Sequence, residues 1–178
     1  MTATPATPST PAASASSSTP APSSAAPLVL ADLSIGQELA RTQHEITRDT
    51  LVRYAGASGD FNPIHYNDTV ATEAGLPGVI AHGMLTMGSA ITGLLDALGD
   101  PTLVRAYSVR FTNPVPVPAT GSVTLEVVAV VGALDESAGT ARVDIAAQVD
   151  GTKVLGRARA TIAPSAAAPS TVGQGAAA

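Results

Sequence analysis

Asp60 and His65 stand five residues apart in the segment Ser58-Gly59-Asp60-Phe61-Asn62-Pro63-Ile64-His65. Histidine is the side chain most readily tuned near neutral pH. A carboxylate beside it can orient the ring or hold a water, which is what acid–base chemistry requires. Gly59 and Pro63 stiffen the connection between two helical segments, so the pair can converge on one small volume. A second group, Ile80-Ala81-His82-Gly83-Met84, opens the longest apolar stretch. The first N–H groups of a helix have no internal partner, and the helix dipole favours negative charge there. Gly83 has no side chain to shield its amide, so a carbonyl oxygen gaining charge would be stabilised at that point. A base, a water-holder and an oxyanion donor together suit proton removal alpha to a carbonyl. His82 reads as a helix cap or a contact to the loop, and Tyr54, Phe61 and Tyr66 read as packing.

These groups need elements to position them. An extended segment is expected over about Gln37 to Ile46, followed by Thr47 as an N-cap with Asp49 in the first turn. Leu51, Tyr54 and Ala55 follow at helical spacing, and Gly56, Gly59 and Pro63 end that helix. A short helical piece is expected at about Asp68 to Ala74, then a turn at Leu76-Pro77-Gly78. The long helix, about His82 to Leu98, carries the stripe Met84, Met87, Ile91, Leu94 and Leu98. Leu85, Gly88 and Leu95 widen that stripe until the helix is apolar nearly all round, which predicts burial. Gly83, Gly88 and Gly93 lower its propensity, and close packing against a sheet would explain them.

The remainder reads as strands. Leu103 to Thr112 is the first; Pro114, Pro116 and Pro118 then make an extended crossing that cannot donate to a ladder. Val123 to Val131 and Ala141 to Val149 alternate apolar with polar, and Asp150-Gly151 is a hairpin turn leading to Val154–Ile162. An antiparallel sheet with one apolar face must be covered, and wrapping it around the long helix buries both. The expected class is α+β.

The chain has 178 residues with 9 Lys+Arg against 14 Asp+Glu, a net charge of −5. After Met1, the segment to residue 26 contains only Ala, Pro, Ser and Thr; such a head cannot bury enough apolar area to order itself. The tail at 164–178 is similar, leaving one domain at 27–163. The absence of cysteine excludes disulfides, thiolate zinc sites and a cysteine nucleophile. Net acidity provides no footprint for nucleic acid. Neither a secretory signal nor a bilayer-spanning stretch is present, so the expectation is a cytoplasmic protein without a membrane partner.

The segments Ser58–His65 and Ile80–Met84 resemble the hydratase signature of the MaoC-like family of (R)-specific enoyl-thioester hydratases and dehydratases, which have the hot-dog fold. The strand Tyr107–Thr112 and the proline segment Pro114–Pro118 fit too, and the likeness covers about Leu33 to Ile162. Within the family it is most similar to the catalytic B-type subunits of actinobacterial (3R)-hydroxyacyl-ACP dehydratases. The resemblance implies reversible dehydration of (3R)-hydroxyacyl thioesters of acyl carrier protein or CoA to trans-2-enoyl thioesters in fatty-acid metabolism. It assigns Asp60 and His65 as the catalytic pair, with the Gly83 amide on the thioester carbonyl. Asn62, Ala81, His82 and Met84 fall beside the substrate, with Asn62 supporting the loop.

It further implies a homodimer, or a heterodimer with a related hot-dog subunit, and needs neither metal nor organic cofactor. A basic patch would favour an acidic carrier protein over CoA; Arg105, Arg110, Arg157 and Arg159 are the candidates. Two other readings are a hot-dog thioesterase, against which the Asp-Phe-Asn-Pro-Ile-His loop argues, and a non-catalytic partner subunit, against which the presence of both Asp60 and His65 argues.

Overall fold

The computed structural model describes residues 28–164; the head at 1–26 and nearly all of the tail lie outside the described residues. Strand β1 (Glu38–Ile46) leads into helix α1 (Arg48–Ser58), then α2 (Asp68–Glu73) and the long helix α3 (Gly83–Leu98). Four strands follow: β2 (Val104–Phe111), β3 (Val123–Asp135), β4 (Thr140–Val149) and β5 (Thr152–Ile162). Their order in the sheet is β1-β3-β4-β5-β2, antiparallel throughout. This is the α+β, hot-dog arrangement, with the sheet curved over α3.

Local chemistry accounts for most boundaries. Thr47 caps α1 with both halves of a capping box, exchanging hydrogen bonds with Thr50. The helix runs on through Gly56 and stops at Gly59, whose φ of 75° provides the left-handed residue that ends many helices. Three short 3-10 turns, Leu30–Asp32, Pro63–His65 and Pro101–Leu103, lie between the longer elements; the second falls in the segment expected to be a loop.

α3 is buried on one side only. Thr86, Ala90, Gly93, Leu94 and Leu98 face the core, where they meet Leu125, Val127, Val143 and Ile145 from the sheet. Met84 and Gly88 are exposed, which corrects the expectation of a helix buried all round: a single curved sheet covers one flank. The close-packing explanation holds at Gly93, where a Cβ would lie 2.6 Å from Thr42 Cγ2. It fails at Gly88, where a Cβ would meet nothing within 4 Å.

The proline segment is a positioning device. Prolines at alternate positions leave Val115 and Val117 free to pair. Val115 O accepts from Ala81 N at 2.8 Å and Val117 N donates to Val79 O at 2.9 Å, which fixes the chain entering α3. Arg48 secures the same region, donating to Val117 O at 2.8 Å and pairing with Asp68 at 2.8 Å. Among the described residues no helix is long and apolar enough to cross a membrane.

Candidate active site

Asp60 lies just past the end of α1. Its amide donates to Ser58 Oγ at 3.2 Å and its Oδ1 accepts from Asn62 N at 3.2 Å. Asn62 in turn caps the Pro63–His65 turn through Oδ1 and Ile64 N, so it supports the loop as expected. The turn carries the His65 ring inward, and His65 is 7% exposed while Asp60 remains exposed.

The His65 Nδ1–H donates to Ile80 O at 2.8 Å. A neutral ring in that tautomer leaves its lone pair on Nε2. His82, 1% exposed, stacks on His65 with ring centroids 3.8 Å apart and planes 25° apart. Its Nε2–H donates to the backbone carbonyl of Asp60 at 3.1 Å, and its buried Nδ1 has no partner. Tyr54 of α1 tilts against the far side of His82, centroids 4.9 Å apart. Burial is the main force holding His82 below the ordinary histidine pKa. His82 sits at the N-cap position of α3 yet makes no side-chain cap bond; its contact is with the loop.

Asp60, His65 and His82 each present an atom within 4.8 Å of the others. The main chain already engages one nitrogen of each ring, and the rings are stacked on one another rather than splayed around a common point. The cluster is therefore better suited to moving protons than to gripping a cation.

Gly83 opens α3 beside this cluster. A cavity of about 270 Å³ is lined by His65, Ala81, Gly83, Thr86, Phe111 and Leu155, among others. Ala81 is part of its wall. Met84, expected beside the substrate, is 58% exposed and absent from this wall, because the first turn of α3 carries it outward. Phe111, at the end of β2, packs where a Gly83 side chain would project, 3.2 Å from the site of a Cβ. Tyr107 on the same strand donates its hydroxyl to Met87 O at 3.0 Å, which holds β2 against α3. Burial pushes that hydroxyl up to about 12. A second, apolar hollow of about 310 Å³ lies on the other side of His65, between Leu51, Ala55 and Phe61.

Sequence reading missed Phe111, Thr86 and Leu155 as walls. Phe111 and Leu155 come together through the β2–β5 pairing and meet Thr86 of α3 across the cavity, and no local pattern announces that contact. It also missed the stacking of the two histidines, although each was identified separately.

With this geometry in view, comparison with known proteins is specific. Over 75 residues the chain is 47% identical to 3-hydroxyacyl-thioester dehydratase X of Mycobacterium tuberculosis, covering 42% of this chain and 26% of that protein. The chain thus spans about a quarter of that curated relative's length. A solved MaoC-like dehydratase superposes with a TM-score of 0.75 at 37% identity, covering 78% of this chain and 43% of the other. An R-hydratase from Pseudomonas aeruginosa superposes with a TM-score of 0.64 at 26% identity, covering 79% and 87%. The family model described as MaoC like domain matches residues 32–149. That match takes in the Asp60–His65 loop, the start of α3 and the sheet up to the end of β4, and the chain belongs to the MaoC-like domain family.

Proposed function

We propose that this protein catalyses the reversible syn dehydration of (3R)-hydroxyacyl thioesters, borne on acyl carrier protein or CoA, to trans-2-enoyl thioesters in fatty-acid metabolism. The observation that carries this reading is the hydrogen bond between His65 Nδ1 and Ile80 O. With Nδ1–H donated to Ile80 O, the neutral ring has its lone pair on Nε2, and His65 stands beside both Asp60 and the Gly83 end of α3.

In the proposed step the Gly83 N–H holds the thioester oxygen as it gains enolate charge. His65 Nε2 lifts the proton from C2 and returns it to the C3 oxygen on the same face, as the C3–O bond breaks and the C2–C3 double bond forms. Asp60 accepts the hydrogen bond of the hydroxyl and then of the departing water. The thioester itself acidifies C2, so the step calls on no metal or cofactor. Asn62 positions the loop, Ala81 forms part of the wall, and His82 positions both members of the pair. The protein acts as a homodimer or pairs with a related hot-dog subunit, and it works in the cytoplasm.

The test is hydration of trans-2-butenoyl-CoA by the purified chain, followed by loss of the conjugated enoyl absorbance, with Asp60→Asn alongside. Hydration abolished by the substitution is the expected result. Release of free thiol without hydration would overturn the reading in favour of a thioesterase.

A further inference from the structure

Two glycines leave room for the end of β2. Phe111 packs where a Gly83 side chain would project. The next residue, Thr112, does the same at Gly156 of β5, where a Cβ would lie 2.7 Å from Thr112 Cγ2. Hydrogen bonds to β5 pin the same corner. Thr112 N donates to Val154 O at 3.1 Å, and Thr112 Oγ1 and Asn113 Nδ2 both donate to Lys153 O, at 3.1 and 2.8 Å. A bulge lies beside Gly156: between the pairs Ser108–Arg159 and Arg110–Gly156, β5 has one residue more than β2. There Arg157 takes a φ of 49°, a left-handed conformation that is costly for a residue with a Cβ. Such strain persists where the surroundings overdetermine it, and it is a pointer to function.

What this corner holds in place is the Phe111 ring. Phe111 stands opposite Leu155, directly opposed residues share one face of a sheet, and both line the cavity beside Gly83 and His65. Leu155 is buried, whereas Phe111 is exposed. A large exposed apolar side chain on a cavity wall fits contact with a ligand better than a place in the core. In the dehydratase reading the thioester oxygen bonds the Gly83 N–H at about 2.9 Å, so C2, two covalent bonds further on, falls within about 5 Å of that nitrogen. His65, which takes the C2 proton, occupies one side of C2. The Phe111 ring, 3.2 Å from the position of a Gly83 Cβ, borders the same small volume.

We infer that Phe111 sets specificity at C2: its ring leaves space there for a hydrogen and rejects a methyl, so the substrates are (3R)-hydroxyacyl thioesters unbranched at C2. This deepens the dehydratase reading and rests on it. Rigidity is what makes the ring selective. A yielding wall would move aside for a methyl group, whereas this one is backed by Leu155 and anchored through Thr112 and Asn113 to the neighbouring strand. One carbon too many in an apolar pocket changes kcat/KM by about 10–200-fold.

The test uses the full chain and compares hydration of trans-2-butenoyl-CoA with that of 2-methyl-trans-2-butenoyl-CoA by wild type, Phe111→Ala and Met84→Ala. Met84 is a similarly exposed apolar neighbour of Gly83 that stands off the cavity wall. The quantity read is the ratio of kcat/KM for the two substrates, because the effect of the methyl on intrinsic reactivity is common to all three proteins and cancels. Phe111→Ala should shift the ratio toward the branched substrate by about tenfold or more, and Met84→Ala should keep the wild-type ratio. A ratio unchanged in Phe111→Ala overturns the inference, as does an equal shift in Met84→Ala. A change of oligomeric state in Phe111→Ala, followed by light scattering, would make the ring a subunit contact and also overturn it. Calorimetric titration with butanoyl-CoA and its isomer 2-methylpropanoyl-CoA reads the same selectivity without turnover. Wild type should bind the straight isomer about tenfold more tightly, and Phe111→Ala should bring the two affinities together. Absence of hydration by wild type with that binding preference intact counts against the dehydratase reading, and equal binding of the two isomers by wild type counts against Phe111.

Discussion

The His82 imidazole lies against that of His65, centroids 3.8 Å apart, while donating its Nε2–H to the carbonyl of Asp60. One buried ring thereby ties the two ends of the Asp60–His65 loop together, packing against one member and bonding the main chain of the other. Substitution separates the two contacts. His82→Phe keeps a ring against His65 and loses the donor; His82→Gln keeps an N–H and loses the stack. We expect folded His82→Phe to lose about tenfold in kcat through misplacement of Asp60, with KM little changed, and His82→Gln to retain more. Steady-state kinetics with a circular-dichroism control check this. Wild-type kcat in His82→Phe would remove the tether.

The same ring makes stability depend on pH. Burial, and then the charge of His65, lower the His82 pKa, while the bond to Asp60 O and the Asp60 charge oppose them; burial dominates. The folded protein therefore resists protonating a ring that the unfolded chain protonates near 6.5. The contribution is complete above that pH and is lost as pH falls from it toward the lowered folded value. Denaturant unfolding between about pH 8 and about pH 5, measured for wild type and His82→Gln, should give a steeper fall for the wild type. Parallel curves would contradict it.

Asp60→Asn and His65→Gln should each reduce turnover by ~10²–10⁴, the range for general acid–base groups. Asp60 is exposed, so its substitution should leave the melting temperature nearly unchanged. Near-wild-type rates in both would move the chemistry elsewhere.

Two glycines of one helix should respond with opposite sign. Gly93→Ala forces a methyl to within 2.6 Å of Thr42 Cγ2 and should destabilise by about 1–3 kcal/mol. Gly88→Ala enters open space on an exposed helical face and should stabilise by up to about 1 kcal/mol. Equilibrium unfolding of the two variants decides it, and a shared sign would show that α3 packs differently.

Elements governed by local rules were legible in the sequence. Thr47 caps α1 as its side chain demands, Asp150-Gly151 closes the β4–β5 hairpin with both φ positive, and strand alternation maps onto the buried face. The motif residues Asp60, His65 and Gly83 are gathered where their types suggested. Long-range geometry was less accessible. Met84 belongs to an apolar stripe yet points outward, because stripe width cannot say how much of a helix one sheet will cover. Phe111 meets Gly83 only through strand pairing across the chain. Arg157 looks like any strand cation until the bulge at its backbone is seen.

Both histidines are addressed by main-chain carbonyls, Ile80 O for one and Asp60 O for the other. A carbonyl is present whatever side chain its residue carries. Which nitrogen of each ring carries the bonded proton is therefore set by the main chain and not by the side chains at those two positions, and the surrounding walls at Phe111, Thr86 and Leu155 can change size without resetting which nitrogen is free. Such a site can drift in the acyl groups it accepts over evolutionary time while its proton chemistry stays the same.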